Sequence, residues 1–290
     1  MYDVTATGEL LIDFTRNGLS EQNNRIYEAN PGGAPCNVLA MLGKLGYKTA
    51  FIGKVGNDEF GKLLKNTISE QKIDSIGLVM DSDAKTTLAF VDNDETGDRS
   101  FSFYRKPGAD MMLREDEVNY ELIDNCRIFH FGSLSMTDEP VRSATYAMID
   151  YAKKKNKIIS FDPNLRPPLW ESEDLAAKQI WYGIEQCDIL KIADNEIEWL
   201  TGTDDYDKGI EIIRQRTHAK LINVTLGPNG SIAYYGDLKV FMKPYLNKDT
   251  IETTGAGDTF GACALHAVLK NGLDNMTEED LKEMLQFANA

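Results

Sequence analysis

The stretch Glu252-Thr253-Thr254-Gly255-Ala256-Gly257-Asp258-Thr259-Phe260 runs directly into the apolar segment Ala262–Leu269. Small residues ahead of an apolar helix make a turn whose backbone N–H groups can approach an anion closely. The helix aims the positive end of its dipole at the same point. Asp258 falls in the first turn, so its carboxylate is held beside that cradle. Hydroxyl-to-phosphate transfer needs this pairing: the acid accepts the hydroxyl proton while N–H groups stabilise charge on the phosphoryl group. The same residues also suit a plain glycine-rich turn with an acid at the helix start, so the rest of the chain must decide.

Around this stretch, short β-branched or apolar runs alternate with longer helical patterns. Val4–Thr7, Thr49–Val55, Ile128–Gly132, Ile158–Asp162, Ile189–Ile192 and Lys220–Leu226 read as strands. Helical spacing covers Ala34–Leu45, Asp58–Gln71, Glu139–Lys155, Asp174–Gln186, Tyr206–Arg216 and Gly257–Leu269. Strands that are apolar almost throughout, separated by helices, predict an α/β fold with a parallel sheet covered on both faces. Two pieces break the rhythm. Thr86–Asp92 and Arg99–Tyr104 flank the polar connection 93–98 as a hairpin, and Asp13–Asn30 is too polar and irregular for a core helix. Together they predict a small β-sheet flap formed by about 13–30 and 86–106. A second hairpin, Ser231–Tyr235 with Leu238–Met242, is expected to end the main sheet. With no repeat, low-complexity tract or Pro-rich linker, residues 1–290 read as a single domain with this appendage.

The bulk properties narrow the partners. The 290 residues are 42% hydrophobic and 27% charged, enough for a buried core. Lys and Arg total 31 against 46 Asp and Glu, a formal net charge of −15. Such a surface repels phosphate backbones and anionic lipid, so neither nucleic acid nor a membrane is expected as partner. No apolar run reaches the length of a membrane span, and Met1-Tyr2-Asp3-Val4 does not open a signal peptide. Cys36, Cys126, Cys187 and Cys263 are scattered without a C-x-x-C, as are His130, His218 and His266. Reduced, buried thiols in a cytoplasmic protein are expected, without a zinc site. At the end of the chain Thr277 caps a helix that stops at Ala290 without a stop signal, which suggests a truncated C-terminus.

Further motifs fall at strand ends and helix starts. Pro31-Gly32-Gly33-Ala34-Pro35-Cys36-Asn37 opens a helix with two glycines and an amide that could bind sugar hydroxyls, or makes a simple tight loop. Leu226-Gly227-Pro228-Asn229-Gly230 follows an apolar strand and could wrap a nucleotide, or merely connect strand to hairpin. Phe161-Asp162-Pro163-Asn164-Leu165-Arg166 lies at the C-terminal edge of a strand, where open α/β sheets place ligands, and Arg166 offers a fork for phosphate. Two other patterns are rejected. Gly56-Asn57-Asp58-Glu59-Phe60-Gly61-Lys62-Leu63 imitates a phosphate-binding loop but puts Leu63 where a hydroxyl should hold magnesium, and Asp58 reads better as a helix cap. Gly255, Gly257 and Gly261 have the wrong spacing and position for a dinucleotide fingerprint.

Taken in order, these segments resemble the ribokinase-like (PfkB) family of carbohydrate kinases, from about Gly8 to the end. One family signature runs from Gly32-Gly33-Ala34-Pro35-Cys36-Asn37 through Leu45-Gly46 to Phe51–Gly56, and the other is Thr253-Thr254-Gly255-Ala256-Gly257-Asp258. Gly8–Phe14, Phe103–Met111, Asp162–Trp170 and Glu196–Gly202 look like the fructokinase branch.

The resemblance implies a three-layer sandwich with a mostly parallel central sheet and a β-sheet lid. It implies ATP and Mg²⁺ and transfer of the γ-phosphoryl group to a primary sugar hydroxyl. By that likeness Asp258 is the base and Gly255, Ala256 and Gly257 form the anion hole. Asp13, Gly32, Gly33, Asn37, Phe103, Arg105 and Arg166 face sugar or phosphates. Asn164, Lys191, Thr225, Gly227, Gly230 and Asn289 contact the nucleotide, and Glu196 acts on magnesium indirectly.

There are departures from the family pattern. Ala193 stands where the family has a polar residue. Glu252 replaces an Asp that helps build a monovalent-cation site, which puts K⁺ activation in question. Phe103 replaces the Tyr of 2-keto-3-deoxygluconate kinases, and losing that hydroxyl favours fructose, phosphorylated at O6. The competing readings are a 2-keto-3-deoxygluconate kinase or another sugar kinase of the family, and a non-catalytic sugar-binding regulator on the same fold. Exposed flap edges invite pairing across a two-fold axis, so a homodimer through the lid is expected.

Overall fold

The computed structural model describes residues 1–93, 99–245 and 255–290. The turn 94–98 and the residues Glu252, Thr253 and Thr254 lie outside the described residues.

The chain opens with β1 (Tyr2–Thr7), β2 (Leu11–Leu19) and β3 (Arg25–Gly32), then α1 (Ala34–Lys44). Next come β4 (Thr49–Gly56), α2 (Glu59–Glu70), β5 (Ile73–Asp81), β6 (Leu88–Asn93) and β7 (Arg99–Tyr104). The middle of the chain supplies α3 (Glu121–Asp124), β8 (Cys126–Gly132), α4 (Val141–Lys154), β9 (Ile158–Asp162) and α5 (Glu173–Gln186). It continues through β10 (Ile189–Ala193), α6 (Asp194–Thr201), α7 (Tyr206–Arg214) and β11 (Leu221–Thr225). A hairpin of β12 (Ser231–Tyr235) and β13 (Leu238–Met242) precedes α8 (Ala256–Asn271) and α9 (Glu278–Ala288).

Nine strands form the large sheet in the order β13-β12-β11-β10-β9-β8-β1-β4-β5. All run the same way except β12, which is antiparallel to both β11 and β13, and the β12–β13 hairpin ends one edge as the sequence predicts. Alternate residues of each strand enter different cores. Phe129 and Phe131 pack with Met148, Ile180, Ile197 and Ile213 of α4 to α7. Ile128, Ile189 and Leu221 pack with Leu39, Leu64, Phe260, Leu265 and Leu285 of α1, α2, α8 and α9. Helices therefore cover both faces, the expected three layers.

Helix starts follow local chemistry. Asp58 caps α2 by accepting from the Gly61 N–H at 2.8 Å, and its other contacts are the Thr86 N–H and hydroxyl. Thr277 and Asp280 cap α9 reciprocally, at 3.2 and 2.8 Å. The edge strand β5 is absent from the sequence reading because polar Asp74 and Ser75 and a glycine interrupt its alternation. Gly77 is there for space: a Cβ would stand 2.7 Å from the Phe51 carbonyl oxygen and from Leu122 Cδ1.

The predicted flap is a separate four-stranded sheet, ordered β3-β2-β6-β7. Its first two strands run a little beyond the expected bounds, from Leu11 to Gly32, while β6 and β7 fall within 86–106. Asn30, Asp13, Ala89 and Phe103 are cross-strand partners in one row, so one face of this sheet gathers Asp13, Asn30 and Phe103. The other carries an aromatic cluster in which Phe14 stacks on Phe90 at 4.8 Å, with Tyr27 and Tyr104 at its edges.

Candidate active site

Parallel strands ending at one edge of a sheet bring their following loops together. Here β9, β10 and β11 deliver Asn164 with Arg166, Lys191 with Ala193, and Thr225 with Gly227 and Gly230 to one cleft of about 1160 Å³. The N-termini of α1 and α8 and one face of the small sheet complete its wall. Gly32, Gly33 and Asn37 enter from α1, Gly255, Ala256, Gly257 and Asp258 from α8, Asp13 and Phe103 from the small sheet, and Asn289 from the end of α9. Sixteen of the eighteen residues singled out in the sequence thus share one cavity.

The start of α8 forms part of the wall of this cleft. Gly255 is its N-cap in the left-handed conformation, φ 77°, and no side chain caps the helix. The first N–H groups of a helix have no acceptor within it, so the turn at 255–258 offers donors to the cleft. Asp258 is buried yet lines that cleft, and one carboxylate oxygen accepts from Nδ2 of Asn37 at 2.8 Å. Burial raises the Asp258 pKa above the usual carboxylate value, opposed by the Asn37 bond and by the charges of Lys191 and Arg166.

Beside the Gly257 backbone lies a buried ion pair. Lys191 Nζ stands 3.1 Å from Asp162 Oδ2, and a Cβ added to Gly257 would approach that ammonium to 3.0 Å. Burial draws the Lys191 pKa down, but Asp162, Glu196 and Asp258 outweigh it and the net shift is upward. Burial raises the Asp162 pKa against the pull of Lys191. His130, bonded to Ser160 at 3.0 Å, is driven down to about 4 by burial and by the Lys191 charge, so it is neutral at pH 7.

Two residues singled out in the sequence do not line the cleft. Arg105 is buried behind it, donating to Asp110 Oδ2 at 2.7 Å, the Leu134 carbonyl at 2.8 Å and Thr137 at 3.0 Å. Glu196 turns both oxygens to backbone amides, those of Leu165 at 2.7 Å and Ala193 at 2.8 Å, which braces the loop after β9 against the start of α6. Asn289 reaches the cleft with its amide tied to Ser231 and to the Met242 and Lys243 carbonyls. Among the described residues no group of three or more His, Cys, Asp or Glu side chains is placed to hold a metal ion.

Sequence reading alone missed Glu9. It is 4% exposed, lines the cleft and accepts from the Ala34 N–H at 2.9 Å. Its signal was present: an acid set between an apolar strand and Leu10-Leu11-Ile12 is out of place unless it has a buried partner. Asp162 was noticed for its backbone, but its pairing with Lys191 depends on two neighbouring strands.

A profile described as pfkB family carbohydrate kinase matches residues 1–290. The chain belongs to this family. This kinase is similar to probable fructokinase-2 of Arabidopsis thaliana, 41% identical over 289 residues, 99% of this chain and 88% of that one. Its fold is similar to that of fructokinase from Xylella fastidiosa solved with bound ATP, with a TM-score of 0.90, 30% identity, and 100% and 90% of the two chains covered. A double-mutant fructokinase from Vibrio cholerae O395, solved with fructose, ADP and a potassium ion, has a TM-score of 0.87, 30% identity, and coverage of 100% and 90%. No helix among the described residues is long and apolar enough to cross a membrane, and no disulfide joins the four buried cysteines.

Proposed function

We propose that this kinase transfers the γ-phosphoryl group of Mg-ATP to O6 of fructose. The observation that carries the reading is the placement of Asp258 in the wall of one cleft with the diglycine turn, in contact with Asn37. Asp258 takes the hydroxyl proton as the oxygen attacks. The amides of Gly255, Ala256 and Gly257 stabilise charge on the transferred group. Arg166, Asn164 and Lys191 draw the phosphates, and Thr225, Gly227, Gly230 and Asn289 bound the nucleotide end. Magnesium enters with the nucleotide as substrate. Glu196, facing backbone amides, acts on it only by fixing the loop that carries Arg166. Most of the acceleration comes from aligning hydroxyl and phosphorus and excluding water as the small sheet closes over the sugar.

A neutral sugar suits this cleft better than an acid one. Among the cleft-lining residues the cations are Lys44, Arg166 and Lys191, while the sugar end presents Glu9, Asp13, Asn30 and Phe103. Arg105, whose charge acts on Glu9, is engaged with Asp110, Thr137 and Leu134. The carboxylate of 2-keto-3-deoxygluconate would therefore meet two acids. A coupled ADP assay over a sugar panel tests the reading: fructose should have the highest kcat/KM, and a higher value for 2-keto-3-deoxygluconate or ribose rejects it. Absence of turnover with every sugar would favour the non-catalytic regulator. Glu252 in place of Asp speaks for weak potassium activation, which a KCl titration of kcat measures.

Two properties of the whole protein belong to the same proposal. The outer face of the small sheet leaves Tyr104 67% and Leu19 51% exposed, a pairing surface for a homodimer that light scattering at micromolar concentration checks. Four buried, unpaired thiols suit the reducing cytoplasm.

A further inference from the structure

Helix α1 begins at a turn that cannot cap itself. Gly33, its N-cap, has no side chain, the first turn carries no acid, and no side-chain bond closes it. Pro35 has no N–H to offer. The first donor of the helix, the Ala34 N–H, is taken instead by Glu9 Oε1 from the turn between β1 and β2. The two turns interlock. A Cβ on Gly33 would stand 2.4 Å from the Glu9 carbonyl oxygen, and one on Gly8 2.5 Å from Cγ of Pro35. About one turn along α1 from this contact, Asn37 donates to Asp258.

We propose that Glu9 is a positioning residue for phosphoryl transfer: by accepting the Ala34 amide it fixes the start of α1, and with it the diglycine backbone and the Asn37 amide. The inference rests on the sugar-kinase reading. Glu9 caps the helix from a distant turn, where the positive end of the helix favours its charge. Around it stand Arg105 and Asp110 from the segment after β7, and Cys36 from α1 itself. Burial lifts its pKa to about 7, against the Ala34 bond and the Arg105 charge. An ionised carboxylate is the stronger acceptor, so the clamp tightens as pH rises through that value.

The test compares wild-type protein with Glu9→Ala and Glu9→Gln. Glu9→Ala should lower kcat/KM for fructose by about 10- to 100-fold, the scale of a misplaced site, with KM for ATP nearly unchanged. Amide hydrogen exchange should quicken in peptides from residues 30–42 and stay unchanged in α4. Glu9→Gln keeps an acceptor, so it should restore most of the activity and flatten the dependence of fructose kcat/KM on pH between about 6 and 8. The proposal is overturned if Glu9→Ala leaves fructose kcat/KM intact. It is also overturned if both Michaelis constants and exchange throughout the chain rise together. Should Glu9→Ala not fold, the Glu9→Gln pH profile decides, and one identical to wild type rejects the role. A wild-type protein inactive on every sugar overturns the kinase reading and the catalytic role of the clamp, while the exchange data still read the Glu9–Ala34 contact itself.

Discussion

Asn37 on α1 and Asp258 on α8 are 221 residues apart in sequence and 2.8 Å apart in space. Each opens a helix behind a glycine turn, and the two helices pack side by side on the same face of the large sheet. The contact joins the two glycine motifs into one site and lowers the cost of keeping Asp258 ionised in a buried position.

Replacing Asp258 with Ala should lower kcat by about 10²- to 10⁴-fold, the usual worth of a positioned general base. The helix should survive, because Asp258 makes no cap bond. A coupled ADP assay with circular dichroism as control measures both. Unchanged kcat would remove the assigned role.

Asn37→Ala should move the acid limb of the kcat–pH profile. The Asn37 bond holds the Asp258 pKa down against burial, so its loss lets the pKa rise and ionisation comes at higher pH. The limb should therefore shift to higher pH, with lower activity on its acid side and a smaller deficit well above it. A limb that stays in place or moves to lower pH contradicts the contact's role.

Lys191→Met removes the ammonium that faces Asp162, Glu196 and Asp258. Taking one partner from a buried ion pair costs roughly 3–5 kcal/mol, read by urea unfolding at neutral pH. Without Lys191 the Asp162 pKa rises further above its unfolded value, so the native state binds more protons and the deficit shrinks as pH falls. KM for ATP should rise as well. A deficit that grows on acidification would contradict this account.

Two glycines beside Asp258 should fail in different ways. At Gly255 a Cβ has room, its nearest neighbour being 3.7 Å away, but the left-handed backbone costs a side chain about 1–2 kcal/mol. Gly255→Ala should lower Tm. Gly257 is helical, so Gly257→Ala should stabilise the helix by about 0.5–1 kcal/mol yet push a methyl group toward Lys191 Nζ and raise KM for ATP. Melting curves paired with nucleotide titrations separate the two.

Glu9 should also mark the pH dependence of stability. Its folded pKa of about 7 lies above the ordinary 4.5, so the native state holds a proton that the unfolded chain releases. Its contribution is complete below about pH 4.5 and is lost as pH rises to about 7, some ~3 kcal/mol in all. Glu9→Gln should remove that slope, measured as the difference between wild-type and variant unfolding at pH 5 and about pH 7.5.

Periodicity and capping made much of the architecture legible in the sequence. The alternation of apolar strands and helices, Asp58 and Thr277 as caps, the 231–242 hairpin and the β6–β7 hairpin of the small sheet depend on neighbours within a few residues, and so do the glycine turns. The tertiary structure alone decided that Glu9 reaches Ala34, that Lys191 meets Asp162, that Arg105 is engaged behind the cleft and that Asn37 touches Asp258. Those contacts join residues on separate strands and helices. Which of them meet is set by strand order and helix packing, and the local pattern of a chain carries neither.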